Sequence, residues 1–113
     1  MAHLVTAVIK PHKLDEVKAA LQAAGVHGLS VSEMQGYGRQ GGKTETFRGS
    51  EYTVEFVPKV RIEVLVASGE ADRVVALIAD TARTGKIGDG KIWSLALDDV
   101  TRVRTGEKGD EAI

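Results

Sequence analysis

The chain has 113 residues, of which 42% are hydrophobic and 27% charged, with a formal net charge of −1 and no cysteine. This length suits a single domain with its own hydrophobic core, and the lack of cysteine excludes disulfides and thiolate metal sites. A net charge near zero gives no general attraction to nucleic acid or to an anionic membrane, so a bound anion must meet local groups of Arg, Lys and backbone N–H.

The first half of the chain predicts a strand, a helix and a second strand. It begins MAHLVTAVIK, which lacks the apolar core of a signal peptide, so we expect a cytoplasmic protein. Residues 4–10 form a β-branched apolar run typical of a buried strand. Apolar residues three or four apart predict a helix over 13–24, followed by Gly25 as its left-handed terminator. Residues 29–35 alternate between apolar and polar, as in a half-buried strand.

A long glycine-rich stretch, residues 36–59, separates this half from the next. Its charges follow neither a helical nor a strand period, which predicts a projecting loop that makes functional contacts. The earlier pattern then repeats, with a strand over 59–67, a helix over 71–83 closed by Gly85, and a strand over 91–97. Residues 100–105 are predicted to be extended. The tail over 106–113 has little apolar surface and is predicted to be unpacked and flexible.

The order β-α-β, loop, β-α-β predicts an α+β fold of the ferredoxin-like, split βαβ type. Such a fold has a four-stranded antiparallel sheet with both helices on one face. We expect the other face of the sheet to be too apolar to remain in water, which predicts an oligomer. The residues assigned to that face are Val5, Ala7, Ile9, Leu65, Trp93 and Leu95.

Two glycine motifs are candidates for anion binding. GYGRQG at 36–41 matches G-x-G-x-x-G, but a loop follows it instead of a helix, so a Rossmann site is rejected. GKIGDGK at 85–91 has P-loop spacing, but Ile92 follows where Ser or Thr would bind Mg²⁺. The second motif still predicts a nest of N–H groups for phosphate, since a simple connector would need only one glycine.

The pair Arg102 and Arg104 has strand spacing and is predicted to point to one side, where guanidinium groups suit phosphate oxygens. A solvated cationic edge is the alternative for this pair. The three histidines lack metal-ligand spacing, and no nucleophile and base can be assembled, which counts against an enzyme. With 4% aromatic residues, the strands lack the stacking rings of sheet-type RNA readers, so no nucleic-acid partner is expected.

Several separated stretches resemble the PII nitrogen-regulatory signal-transduction proteins. They are IKPHKLDEVKAAL, VSEMQGYGRQ, FRGSEYTVEFVPKVRIEV, ARTGKIGDGKIW and RVRTGE, in the family's order over nearly the whole chain. The resemblance implies a single PII-like domain over 1–113. It also implies a homotrimer of ferredoxin-like subunits with nucleotide sites in the clefts between them, where ATP and ADP compete.

The resemblance also implies roles for individual residues. Lys59 would pair with a carboxylate of 2-oxoglutarate, which binds only together with Mg-ATP, and Gln40 would be on the Mg²⁺. A shared metal ion would then couple the two ligands. Arg102 and Arg104 would assist the phosphates. The phosphates would be cradled by Gly38, Arg39, Gln40, Gly88, Asp89, Gly90 and Lys91, and the neighbouring cleft wall would be Gly28, Leu29, Ser30, Glu63 and Leu65. Gly36 would also belong to the ligand-binding residues.

Residues from about 37 to 58 resemble the family's T-loop, and Tyr52 matches its modified tyrosine, which is uridylylated or adenylylated according to lineage. The implied function is sensing of ATP, ADP and 2-oxoglutarate. The implied partners are an ammonium channel, nucleotidyltransferases, and metabolic or regulatory proteins of nitrogen control, without direct membrane insertion. Three alternatives stay open: a PII-like regulator that senses a different small anion, a slow ATPase of the same fold, and a structural oligomerisation module.

Overall fold

Eight main elements follow one another along the described chain. The structure is a computed structural model, and it describes residues 1–37, 45–47, 50–52 and 56–113. Short 3₁₀ turns cover Pro11–Lys13 and Gly109–Ala112. The main elements are β1 His3–Ile9, α1 Leu14–Ala23, β2 Ser30–Gly36, β3 Glu45–Phe47, β4 Ser50–Tyr52, β5 Val57–Val66, α2 Ala71–Ala82 and β6 Gly90–Ala96.

The four long strands form one antiparallel sheet in the order β2-β5-β1-β6. Strand β1 lies in the middle, where Val5 pairs with Val64 of β5 and with Ser94 of β6. Both helices pack on the same face of the sheet through one continuous core. The predicted ferredoxin-like arrangement is therefore confirmed.

The core lies between the helices and one face of the sheet. Val5, Ala7 and Ile9 are each at most 1% exposed and belong to this core. The prediction that these three side chains lie on the second face is therefore wrong. Strand β1 is apolar on both faces, so its own sequence does not show which side meets the helices. The register with β5 decides this, because Ile62 and Val64 pair with Ala7 and Val5 and face the helices.

The second face of the sheet is apolar and open in the single chain. Leu65, Trp93 and Leu95 are 42%, 42% and 56% exposed, on the face where they were predicted. Their cross-strand neighbours on β1 are Leu4 and Thr6. Exposed large side chains that adjoin one another across three strands are typical of a surface that meets another protein chain.

The two helices end differently. After α1, the N–H of Gly25 donates to the carbonyl of Gln22 at 3.1 Å, and that of Val26 donates to the carbonyl of Leu21 at 2.9 Å. Gly25 has a φ of 90°, so this is the predicted glycine terminator in a Schellman motif. Helix α2 ends at Ala82 with an extended residue after it. Gly85 lies beyond that point, so its predicted role as the terminator of α2 is wrong.

The predicted loop over 36–59 contains strand structure at both ends and within it. Strand β2 extends to Gly36 and β5 begins at Val57, while β3 and β4 pair with each other as a small antiparallel ladder. Between the ends of the long strands, the rings of Tyr37 and Phe56 meet edge to face, with centroids 6.1 Å apart. Aromatic pairs of this geometry are favourable, so this pair fixes where the loop leaves the sheet.

The segment after β6 folds back on itself instead of extending. The N–H of Gly106 donates to the carbonyl of Arg102 at 2.8 Å, and Thr101 pairs with Lys108. The predicted extended piece over 100–105 is therefore a turn. The tail also has contacts with the body that its low apolar content did not predict, because polar groups such as Asp110 anchor it. We call residues 107–113 the C-terminal strap.

Candidate functional site

The predicted site residues that the structure describes fall into two main groups. One group is the glycine-rich turn between α2 and β6 together with Lys59, at the end of the sheet where β5 begins. The other contains Gly28 and Leu65, at the end where β5 finishes. Along β5, Lys59 and Glu63 are four residues apart, which corresponds to roughly 13 Å.

Asp89 holds the glycine-rich turn in shape. Its carboxylate accepts hydrogen bonds from the N–H of Thr84 at 2.8 Å, from the N–H of Gly85 at 2.9 Å, and from the Thr84 hydroxyl. Lys10 lies 3.2 Å away as an ion-pair partner. These contacts, the Thr84 hydroxyl first among them, hold the pKa of Asp89 well below its usual range. Asp89 is thus an ionised organiser of the turn.

Lys59 places a buried positive charge beside this turn. The residue is 5% exposed, and its ammonium donates to the carbonyl of Gly88. Burial lowers the pKa of Lys59 and Lys10 lowers it further, while Asp89 acts in the opposite direction. An ammonium has three donors, and within the described ranges one acceptor contacts it. A buried charge is costly unless it is paired, so this corner favours an anion.

The backbone conformation itself requires glycine in this turn, and the sequence alone did not distinguish this need from ligand binding. Gly85, Gly88 and Gly90 all have positive φ, at 84°, 96° and 102°. A Cβ on Gly90 would lie 1.8 Å from the carbonyl oxygen of Val8 on the neighbouring strand. Gly90 is therefore required by the sheet itself, and its presence is not evidence of a ligand. Gly36 lies behind the lysine, since a Cβ there would lie 3.5 Å from Lys59 Cγ.

The second group lines an open cavity of about 780 Å³. Its walls are mostly apolar, and they also carry the Ser30 hydroxyl and the Glu63 carboxylate. All five predicted wall residues are brought together there: Gly28, Leu29, Ser30, Glu63 and Leu65. An apolar cavity of this size with a few polar groups is typical of a small-molecule site.

Sequence reasoning missed the other residues of this cavity, among them Glu70, Arg73, Ala112 and Ile113. Arg73 pairs with Glu70 at 2.8 Å, and its Nη1 donates to the carbonyl of Ala24 at 3.2 Å. Three-residue spacing of opposite charges on α2 could have revealed the pair. No local signal could have revealed that Ala112 and Ile113 return to this cavity.

Arg102 and Arg104 lie on the turn after β6, near the strap. Arg102 Nη1 is 3.3 Å from the Glu107 carboxylate, and its Nη2 donates to the carbonyl of Glu111 at 3.1 Å. The Thr105 hydroxyl also donates to Glu107, and this bond is the main cause that lowers the pKa of Glu107. The expectation that the two arginines point to one side of a strand is wrong, because the backbone here turns.

Three of the predicted phosphate and metal ligands, Gly38, Arg39 and Gln40, lie outside the described residues, and so does the side chain of Tyr52. The backbone of Tyr52 belongs to β4, opposite Glu45. Lys91 is exposed near the start of β6. Across the ranges that the structure covers, no cluster of His, Asp and Glu could hold a metal ion. The helices in those ranges are all too short or too polar to cross a membrane.

The family model for "Nitrogen regulatory protein P-II" matches residues 2–107. A protein of that name from Synechocystis sp. is 58% identical over 109 residues, which cover 96% of this chain and 97% of the relative. One from Rhizobium etli is 56% identical over 110 residues, covering 97% and 98%. Both are named as regulatory proteins, not as enzymes.

A solved structure of Arabidopsis thaliana PII bound to citrate has the same fold. It is 37% identical to this chain, with a TM-score of 0.81, and the match covers 99% of this chain and 92% of that one. The family model, the relatives and the fold agree over nearly the whole length. The chain therefore belongs to the nitrogen regulatory protein P-II family.

Proposed function

We propose that this protein is a P-II sensor that binds either ATP together with 2-oxoglutarate or ADP alone, and that regulates proteins of nitrogen metabolism. The observation that carries the proposal is the buried Lys59 ammonium, which lies beside the Gly88 turn with a neutral carbonyl as its described partner. A ligand anion would give this ammonium a charged hydrogen-bond partner, and a carboxylate forms strong charge-assisted hydrogen bonds with ammonium.

In this proposal a nucleotide uses both groups of site residues. The apolar cavity suits the base, with the Ser30 hydroxyl and Glu63 carboxylate as hydrogen-bonding groups. The glycine-rich turn, Lys91, Arg39 and the two C-terminal arginines suit the phosphates. The two groups face different ends of one sheet, so a site between subunits of a homotrimer would join the cavity of one subunit to the turn of the next.

The second ligand would bind beside the phosphates. Lys59 would pair with one carboxylate of 2-oxoglutarate, and Gln40 would help hold Mg²⁺, which favours oxygen ligands. The citrate-bound plant relative supports a carboxylate ligand for this fold. A shared metal would make 2-oxoglutarate binding depend on ATP, which is a direct form of coupling between two sites.

The output would pass through the loop between β2 and β5. Different ligands would select different loop conformations, and these would select partners such as an ammonium channel, a nucleotidyltransferase or a metabolic enzyme. Tyr52 would be the nucleotidylated residue, since a bulky anionic group added there would change the contacts of the loop.

The test is calorimetric titration of 2-oxoglutarate with Mg-ATP, with ADP and without nucleotide. We expect heat only with Mg-ATP. Lys59→Met should weaken 2-oxoglutarate by about ten- to a hundredfold, because a charged hydrogen-bond partner is lost. Lys18→Met, on the exposed side of α1, is the matched control and should bind normally.

Equal heat in all three conditions, or normal binding by Lys59→Met, would contradict this assignment. Citrate was bound to the plant relative, so a sensor of another carboxylate is the second candidate. Heat with citrate and Mg-ATP, but none with 2-oxoglutarate, would favour it.

The modification proposal has its own test. Tyr52→Phe should bind ATP and 2-oxoglutarate like the wild type but accept no label from a nucleotidyltransferase, because only the hydroxyl is removed. Tyr37→Phe, at the base of the same loop, is the control and should be labelled normally. Label retained by Tyr52→Phe would place the modification at another residue.

A further inference from the structure

The C-terminal strap forms part of the cavity wall. Ala112 and Ile113 line the cavity together with Leu65 and Val26 from the body of the protein. Ile113 remains 44% exposed, so its side chain has apolar surface that a ligand could cover. The strap can form a stable part of the wall only if contacts hold it against the body of the protein. Two sets of contacts do so.

The first anchor joins the strap to the end of β5. Asp110 Oδ1 accepts hydrogen bonds from the N–H and the hydroxyl of Ser68, both at 3.1 Å. The second anchor is Arg102, whose Nη2 donates to the carbonyl of Glu111 at 3.1 Å and whose Nη1 pairs with Glu107. The strap residues that these anchors hold all lie within six residues of Ile113, so the anchors keep the end of the strap beside the cavity.

The cavity has a volume of about 780 Å³ with the strap in its place. Ligand pockets generally measure about 300 to 1,000 Å³. Residues of the strap therefore border the space without filling it, and a nucleoside fits while they remain there. The strap is therefore better described as part of the cavity wall than as a segment that blocks the cavity and must move before a ligand enters.

We infer that Ile113 is a specificity-determining residue for the nucleotide base, and that the strap positions it while it also holds Arg102. This inference rests on the proposed nucleotide function. A purine has two apolar faces, and a site that covers only one of them leaves the other in water. Ile113 adds apolar cover at the edge of the cavity, and the guanidinium of Arg102, which contacts the strap at Glu107 and Glu111, would meet the phosphates.

The experiment separates base contacts from phosphate contacts by titrating ATP and inorganic tripolyphosphate in parallel. Ile113→Ala should weaken ATP by about three- to tenfold, since apolar contact area is lost, and should leave tripolyphosphate unchanged. Ile113→Val should stay close to wild type. Asp110→Ala removes the Ser68 anchor and should weaken ATP to a similar degree.

Glu111→Ala is the matched control, because the anchor uses the backbone carbonyl of Glu111 and its side chain is exposed. Thermal unfolding of each variant checks that the fold is kept. Normal ATP affinity in both Ile113→Ala and Asp110→Ala would overturn the inference, as would equal loss of ATP and tripolyphosphate in Ile113→Ala. If wild-type protein fails to bind ATP, the proposed function falls and takes this inference with it.

Discussion

Asp89 organises the glycine-rich turn through hydrogen bonds from residues of the turn itself. The carboxylate accepts hydrogen bonds from the N–H groups of Thr84 and Gly85 and from the Thr84 hydroxyl, and it forms an ion pair with Lys10. An ionised carboxylate would also repel a phosphate at close range. These contacts indicate that Asp89 shapes the turn, and in the proposed function Lys59 would provide the positive charge that attracts the ligand anion.

The pH dependence of stability tests this role. The pKa of Asp89 is lowered by folding, so its charge stabilises the folded state above the unfolded pKa of about 4 and this contribution declines as the pH falls further. We expect Asp89→Asn to melt below wild type at neutral pH, with a gap that narrows below about pH 4. Thermal unfolding from neutral to acidic pH measures the gap.

Asp80→Asn is the control for that series. Asp80 forms an exposed ion pair with Arg83 at 3.2 Å, and such pairs contribute little to stability. Its melting temperature should follow wild type at every pH. A gap for Asp89→Asn that does not change with pH would mean that lost hydrogen-bond geometry, and not charge, is responsible.

At the scale of single elements, the sequence pattern predicted which face is buried only where the two faces of an element differ in polarity. Strand β5 alternates clearly, and Leu65 is exposed on the predicted face while its neighbours Ile62 and Val64 are buried in the core. Strand β1 is apolar throughout, so only pairing with β5 shows that Ala7 faces the helices. The segment TRVRT alternates too, but it is not a strand. It forms a turn that closes at Gly106, whose φ is 84° and whose N–H donates to the Arg102 carbonyl. Short alternation alone is weak evidence.

The start of β6 gives a prediction about glycine. In Gly90→Ala, the new methyl group would overlap the Val8 carbonyl oxygen on β1. We expect a loss of stability of at least about 3 kcal/mol, since backbone must move. Gly85→Ala has a similar positive φ but open space around it, and should cost about 1 to 2 kcal/mol.

Denaturant unfolding of the two variants measures the difference. Similar losses for both would mean that backbone conformation, and not the close contact with β1, explains the glycine at position 90. A Gly90 variant that unfolds would also lose phosphate binding, whether or not Gly90 contacts the ligand.

At the scale of the whole molecule, a single chain leaves the second face of the sheet uncovered. The sequence predicted an apolar face there, because Trp93 and Leu95 alternate with the core side of β6. It also predicted the cavity wall, through motifs shared with the family. It could not show that Lys59 is buried or that Ile113 reaches the cavity, since both depend on contacts between segments distant in sequence.

The open face predicts assembly through this surface. Trp93→Glu would place a charge among apolar side chains in the assembled state, which is costly without a partner. We expect this variant to sediment mainly as a monomer where wild type sediments as a trimer. Val103→Glu, at a fully exposed position on the turn after β6, should sediment like wild type.

Sedimentation velocity at several protein concentrations gives the result. A trimer that persists in Trp93→Glu would show that subunits meet elsewhere. In that case the cavity of one subunit and the glycine-rich turn of the next would have to be joined by another surface.

The central position of β1 has a consequence for how the chain folds. His3 pairs with Val66 on one side and with Ala96 on the other, so β1 is synthesised before either of the strands that flank it. Pairings between such distant segments must close long loops, and this slows folding relative to helical proteins of similar size. During synthesis the apolar run LVTAVI therefore waits for β5 and β6, and it is the segment most open to wrong contacts before the sheet closes.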